Sequence, residues 1–144
     1  MNVDGILRAK GANVVTIRPD ASVGRLVDGL REERIGAMIV SEDGRTVLGI
    51  ISERDVVRGL ADRGPRILEA TVAELMTRQV FSCTPQDTVK HVMAEMTKRR
   101  IRHLPVLADG VLSGIVSIGD VVKNRLEEME TETNVLREAY IGRK

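Results

Sequence analysis

Two short stretches hold the residues best suited to chemistry: Gly49-Ile50-Ile51-Ser52-Glu53-Arg54-Asp55 and Gly114-Ile115-Val116-Ser117-Ile118-Gly119-Asp120. Each reads Gly, two apolar residues, Ser, two variable residues, Asp. The apolar pair suits the end of a buried strand, which puts the serine hydroxyl and the carboxylate on the turn into a helix. A carboxylate so placed can accept both hydroxyls of a ribose, as acidic side chains do in other nucleotide sites. The serine and the first free amides of the helix suit a phosphate. The same spacing also writes a capping box, in which serine and acid satisfy the backbone N–H groups that open a helix. Capping and ribose binding are therefore both open, separately or together.

Other polar groups offer less. In the basic run Lys98-Arg99-Arg100-Ile101-Arg102-His103, the first three cations read as a solvated helix end, favoured by the helix dipole. Arg102 and His103 fall at the start of the next strand, where phosphate contact and plain solvation are both open. The single cysteine, Cys83, has no base fixed beside it and reads as a small apolar filler. One cysteine and two histidines lack the spacing of a metal site, and no two carboxylates are brought together for hydrolysis. The chain is expected not to be an enzyme and to carry no catalytic cofactor. Its net charge of +1, with only Phe81 and Tyr140 as aromatics, gives nucleic acid neither a charged footprint nor a stacking platform. No apolar run approaches the ~18 residues of a membrane span. With no disulfide possible and no signal-peptide block at the N-terminus, the expectation is a cytoplasmic protein without membrane contact.

The elements that must position the two signatures are themselves written twice. Pro19 returns as Pro85, Ile35 as Ile101, Val40 as Val106 and Asp43-Gly44 as Asp109-Gly110, each 66 positions on. One residue is then lost in a turn, and Gly49 to Asp55 returns as Gly114 to Asp120 at an offset of 65. Each copy starts with a short extended segment ending at a proline, which restrains its predecessor to extended geometry. Ser22 or Thr88 can cap the following helix. Val23, Leu26, Val27 and Leu30, like Val89, Val92, Met93 and Met96, have amphipathic helical spacing. Two apolar runs around Asp-Gly then read as a hairpin, and a second helix starts near Asp55 or Asp120. Each copy is βαββα, an α/β (α+β) unit.

The boundaries are 2–62 for the first repeat, 71–126 for the second, and 127–144 for a charged helical tail. Residues 61–71, with Gly64-Pro65, link the repeats. A unit of about 60 residues is marginal alone, so the copies are expected to pack sheet against sheet about a pseudo-two-fold axis.

The signatures, the repeated βαββα order and Arg99-Arg100-Ile101-Arg102-His103-Leu104-Pro105-Val106 resemble tandem CBS domains of the stand-alone bacterial type, over nearly the whole chain. The resemblance implies a disc-like homodimer that reports to an effector protein of unknown identity. It also implies clefts for an adenosyl ligand such as AMP, ADP, ATP, NAD(H) or S-adenosylmethionine. Carried over residue by residue, Asp55 and Asp120 would hold ribose hydroxyls, with Ser52 and Ser117 near ribose or phosphate. Ile118 and Gly119, and Arg54 in the first copy, belong to the same turns. Arg102 and His103 would meet phosphate. The extended segment of the opposite repeat would close each cleft, bringing Thr16 and Arg18 to Asp120 and Thr84 to Asp55. Copy one has Gly36-Ala37 where copy two has Arg102-His103, so the Asp55 cleft lacks that basic pair unless Arg54 and residues from copy two compensate, and the Asp120 cleft is expected to be the better phosphate binder. A structural, partner-recruiting dimer with vestigial clefts is the alternative function.

Overall fold

The structure is a computed structural model that describes residues 1–142; residues 143 and 144, which end the expected tail, lie outside the described residues. The elements run α1 (Val3–Lys10), β1 (Thr16–Ile17), α2 (Val23–Glu33), β2 (Ala37–Val40), β3 (Gly49–Ser52), α3 (Glu53–Arg63), a 3-10 turn (Pro65–Glu69), α4 (Val72–Leu75), α5 (Val89–Arg99), β4 (His103–Ala108), β5 (Val111–Ser117) and α6 (Ile118–Gly142).

Local chemistry accounts for the helix ends. The Ser22 hydroxyl accepts the Arg25 N–H at 3.1 Å, and the Thr88 hydroxyl accepts the His91 N–H at 3.1 Å, as side-chain caps do. Behind these caps, Val23, Leu26 and Leu30 on α2 and Val89, Val92 and Met96 on α5 are buried. Both helices stop at an arginine in the left-handed region, Arg34 (φ 54°) and Arg100 (φ 55°). That conformation is uncommon outside glycine, and it turns both chains back toward the next strand.

The sheets repeat at the same registers. Ile17 pairs in parallel with Val40, and β2 runs antiparallel to β3 with Ala37 opposite Ser52. In the second repeat β4 and β5 pair antiparallel with His103 opposite Ser117, and Cys83 bridges in parallel to Val106, in the place that β1 takes in the first. The hairpins differ. Asp109 (φ 52°) and Gly110 (φ 79°) form the tight turn expected of Asp-Gly. The first copy has a wider loop, folded around Asp43, whose carboxylate accepts the Arg45 and Thr46 N–H groups, each at 2.8 Å. Those amides, with Thr46 foremost, lower the Asp43 carboxyl to about 2.

The two repeats exchange their leading segments. Helix α1 precedes the first repeat in sequence, but Val3, Ile6 and Leu7 are buried in one core with Val89, Val92, Met96, Leu104, Val116 and Val121 of the second. Reciprocally, Val72 of α4 is buried with Val23, Leu26, Val40 and Ile51 of the first, and Leu75 and Met76 pack on that core. Backbone bonds fasten both exchanges. The Val3 N–H donates to Asp87 O (2.9 Å) and the Val89 N–H to Met1 O (3.1 Å); the Val72 N–H donates to Ala21 O (2.8 Å) and the Val23 N–H to Ala70 O (2.9 Å). Two βαββα repeats are thus packed with pseudo-two-fold symmetry, and neither core is complete without a piece of the other copy.

The signature glycines make room for the exchanged pieces. A Cβ on Gly49 would sit 2.8 Å from Thr77 O and 2.9 Å from Met76 Sδ, and one on Gly114 would sit 2.7 Å from Leu7 Cδ2. Leu7 can move its side chain, but the Thr77 carbonyl is backbone and is bonded to the Ile50 N–H at 3.0 Å. Gly49→Ala is therefore expected to destabilise the protein by about 1–3 kcal/mol, the usual cost of overpacking, and Gly114→Ala by less. Urea unfolding of both variants measures the order; equal costs would mean that the two exchanged segments are held equally firmly.

Candidate functional site

The serine and acid of each signature do cap helices. The Asp55 carboxylate accepts the Ser52 N–H at 2.8 Å and the Ser52 hydroxyl at 3.2 Å, completing a capping box at the start of α3. Asp120 accepts the Ser117 N–H at 2.9 Å and donates its own N–H to the Ser117 hydroxyl at 3.1 Å. The two carboxylates differ in what else they meet. Among the described residues, Asp55 Oδ1 accepts the Thr77 hydroxyl alone, at 3.3 Å. Asp120 Oδ2 accepts the Lys10 ammonium at 2.6 Å. The exchanged segments create this difference: α4 ends at Leu75, whereas α1 runs on to Lys10 and delivers a cation to the acid.

Beside Asp55 opens a cleft of about 590 Å3 between the repeats, within the roughly 300–1,000 Å3 typical of small-molecule sites. Ser52, Arg54, Asp55 and Arg58 supply one wall from the start of α3. Thr77, Gln79, Val80 and Phe81 supply the segment that follows α4. The end of α5 and the start of β4 close it with Arg99 to His103, and Ser117 and Ile118 reach it from β5 and α6. Arg54 crosses between the repeats, its guanidinium donating to Arg100 O at 3.4 Å. The Arg99 guanidinium lies 3.8 Å from the centre of the Phe81 ring and bonds Glu95 at 2.8 Å, a cation-on-ring contact that stiffens this wall.

Of the residues singled out from sequence, Gly36, Ser52, Arg54, Asp55, Arg102, His103, Ser117 and Ile118 line this cleft. Ala37 and Thr84 do not, and neither do Gly119, Asp120, Thr16 and Arg18, which the resemblance assigns to the Asp120 side. Ala37 is buried in β2. Arg18 pairs with its neighbour Asp20 at 3.0 Å, and the Thr84 N–H bonds the Asp87 carboxylate at 2.9 Å. Thr84 lies at the far end of its extended segment, because parallel pairing of Cys83 to Val106 carries that segment past the cleft. The residues that approach the signature acids come earlier in the chain, at Lys10 and Thr77.

Copy one supplies no basic pair to the Asp55 cleft, but Arg54 and residues of copy two compensate. Packing across the pseudo-two-fold axis sets Arg102 and His103 of copy two in the cleft of the copy-one acid, with Gly36 opposite His103: a Cβ on Gly36 would lie 3.5 Å from the imidazole. Arg99 and Arg100, read from sequence as a solvated helix end, also line it, because the C-terminus of α5 is aimed at the cleft. Arg58, which also lines the cleft, carries no sequence signal beyond its place one turn after Asp55.

Burial lowers the basicity of His103, against the opposing pull of Asp120 and Glu53; Lys10 and Arg102 reinforce the lowering. At Asp120 burial works the other way, and the Lys10 ammonium with the Ser117 donors outweighs it, holding the carboxyl below its ordinary value. Burial pushes the Cys83 thiol up to about 12, with Asp87 adding to the effect, which agrees with its reading as an inert filler. Among the described residues there is no cluster that could hold a metal ion, and no helix is long and apolar enough to cross a membrane.

The family model described as CBS domain matches residues 9–62 and 72–127. The chain is 32% identical to the CBS domain-containing protein CBSX3, mitochondrial, of Arabidopsis thaliana, over 96% of this chain and 71% of that one. The crystal structure of the CBS-domain containing protein ATU1752 from Agrobacterium tumefaciens superposes with a TM-score of 0.83 at 43% identity, covering 86% of this chain and 92% of that one. The CBS domain pair of protein MJ0100, in complex with 5-methylthioadenosine and S-adenosyl-L-methionine, superposes with a TM-score of 0.78 at 25% identity, covering 89% and 98%.

His103 gives the site a pH dependence whose sign is fixed. Its folded pKa lies below the unfolded value, so the unfolded chain binds more protons in the window between them, and stability falls as pH drops through the ordinary histidine value near ~6.5. In Lys10→Met a cation that lowers His103 is gone and Asp120 is freed. The His103 titration, followed by NMR of the imidazole, is expected to move up. An unmoved titration would mean that Lys10 and Asp120 act on each other alone.

Proposed function

The chain belongs to the CBS-domain family, and on that premise we propose that it is a regulatory module that binds a phosphorylated adenosine ligand in the cleft between Asp55 and the Arg102-His103 pair. The observation that carries this reading is the joining, in one 590 Å3 cleft, of a ribose-type carboxylate from one repeat with a cluster of cations from the other. Asp55 is held with its Oδ1 edge toward Thr77, so a diol would exchange with one hydroxyl rather than with a salt bridge. Ile50, Val80, Ile101 and Ile118 offer the apolar surface a purine needs.

Charge selects among adenosyl ligands. Arg54, Arg58, Arg99, Arg100 and Arg102 line the cleft against Glu53 and Asp55. Guanidinium groups match phosphate oxygens in charge and in geometry, which favours AMP, ADP, ATP or NAD(H). S-Adenosylmethionine brings a sulfonium cation to the same surface and is disfavoured. The MJ0100 pair, with S-adenosyl-L-methionine and 5-methylthioadenosine, supports the adenosyl part of the reading only. On this reading the module has no catalytic step. It works as a homodimer in the cytoplasm and passes the ligand's presence to an effector protein by its differential affinity for two packings of the repeats.

The Asp120 side fits a structural role better, since its carboxylate is already paired with Lys10. That pair favours, for this half of the molecule, the reading as a vestigial cleft in a partner-recruiting dimer.

Titration calorimetry against AMP, ADP, ATP, NAD+, NADH and S-adenosylmethionine tests the proposal. A phosphorylated ligand is expected to bind at least about tenfold more tightly than S-adenosylmethionine, a difference of ~1.4 kcal/mol. Asp55→Asn, with folding checked by circular dichroism, removes a charged hydrogen-bond acceptor worth about 1.5–3 kcal/mol and should weaken binding roughly 10- to 100-fold. Asp120→Asn should change it little. Millimolar nucleotide without heat of binding would leave only the structural reading. In two buffers of different ionisation enthalpy, a phosphate reaching His103 should also draw a proton onto the imidazole; equal apparent enthalpies would place the phosphate away from it.

A further inference from the structure

Helix α6 does two things along its 25 residues. Its first turns pack on the second repeat through Val121 and Asn124, which are buried. From Met129 to Ile141 every residue is exposed, so the helix leaves the body and projects about 20 Å at 1.5 Å per residue. An apolar stripe runs along it without a break at the point of departure. Val122, Leu126, Met129, Leu136 and Tyr140 are 45%, 55%, 53%, 70% and 74% exposed. With Thr133 they alternate by four and three residues, the seam spacing of a coiled coil. Leu126, Thr133 and Tyr140 take the a positions, and Val122, Met129 and Leu136 the d positions. The one polar residue in the seam is self-satisfied: the Thr133 hydroxyl donates to Met129 O at 2.9 Å, leaving its methyl group free to face a partner.

The flanking charges say which partner fits. Positions e hold Lys123, Glu130 and Arg137, and positions g hold Arg125, Glu132 and Ala139. In a parallel pair of identical helices, each g residue faces the e residue of the next heptad across the seam. That sets Arg125 against Glu130 and Glu132 against Arg137, both attractive and both made twice by symmetry. In a fully overlapped antiparallel pair, e faces e and g faces g. That sets Glu130 against Glu130, Glu132 against Glu132, and Lys123 against Arg137, all repulsive. Charge at these positions sets partner and orientation in coiled coils.

We propose that the α6 stripe from Val122 to Tyr140 is the seam of a parallel, in-register, two-stranded coiled coil with a second copy of this chain. The proposal rests on the homodimer of the reading above and is independent of its ligand. About three heptads are short for a coiled coil in isolation, so the seam is an extension of contact between two folded bodies.

Site-directed cross-linking and mass measurement on the full chain test it. The natural Cys83 is 5% exposed and stays silent under mild oxidation. In a parallel pair Thr133→Cys brings two thiols side by side, and a disulfide-linked dimer is expected at least about tenfold faster than from Val135→Cys, which lies off the seam. An antiparallel pair would set residue 133 opposite Met129, and the two variants would then cross-link alike, which overturns the proposal. By analytical ultracentrifugation, M129E/L136E is expected to raise the dimer dissociation constant at least about 100-fold while its circular dichroism and thermal unfolding keep the repeats intact. A dimer indifferent to that double substitution would overturn the seam and leave the homodimer standing elsewhere. A monomeric wild-type chain would overturn both.

Discussion

The constraint on which the rest of the structure depends is the exchange of leading segments between the two repeats. Neither copy closes its core with its own residues alone. Val3, Ile6 and Leu7 complete the second copy, and Val72, Leu75 and Met76 complete the first. Because the exchange is reciprocal, neither half can settle into its final core without the other. It also dictates residue choice at the signatures, where Gly49 and Gly114 leave space that a side chain would fill.

The candidate site is a by-product of that packing. Once the repeats lock about their pseudo-two-fold axis, the signature turn of the first lies against the extended segment and the α5 end of the second. The acid and the cations of one cleft then come from different copies. A ligand bridging them would touch both halves at once, which is the geometric condition for its binding to bias their packing. Local capping leaves one edge of the carboxylate turned to the cleft: Oδ2 of Asp55 closes the capping box, while Oδ1 accepts the Thr77 hydroxyl.

The copies have diverged where the exchanged segments differ. Helix α4 stops after one turn and leaves Thr77 beside Asp55, whereas α1 continues and sets Lys10 on Asp120. A few more residues of helix convert one acid from an exchangeable hydrogen-bond acceptor into half of an ion pair. In its outer half α6 holds its apolar residues exposed, away from both cores.

The sequence by itself determined the repeat, its element order, the caps at Ser22 and Thr88, the turn at Asp109-Gly110 and the two signatures, because each is written in neighbouring residues or in a period a single chain displays. It also marked Arg102, His103 and Asp55 as residues of interest. Only the tertiary structure decided that these three share a cleft. It alone decided that Arg99, Arg100 and Arg58 join them, that Thr84 stays outside, and that Lys10 faces Asp120. The physical reason is that contacts across a pseudo-two-fold axis join positions that no local pattern connects. Which copy supplies the cations to which acid depends on how two nearly equal halves close over each other's leading segments, and so on the complementarity of their cores rather than on the order of residues in either.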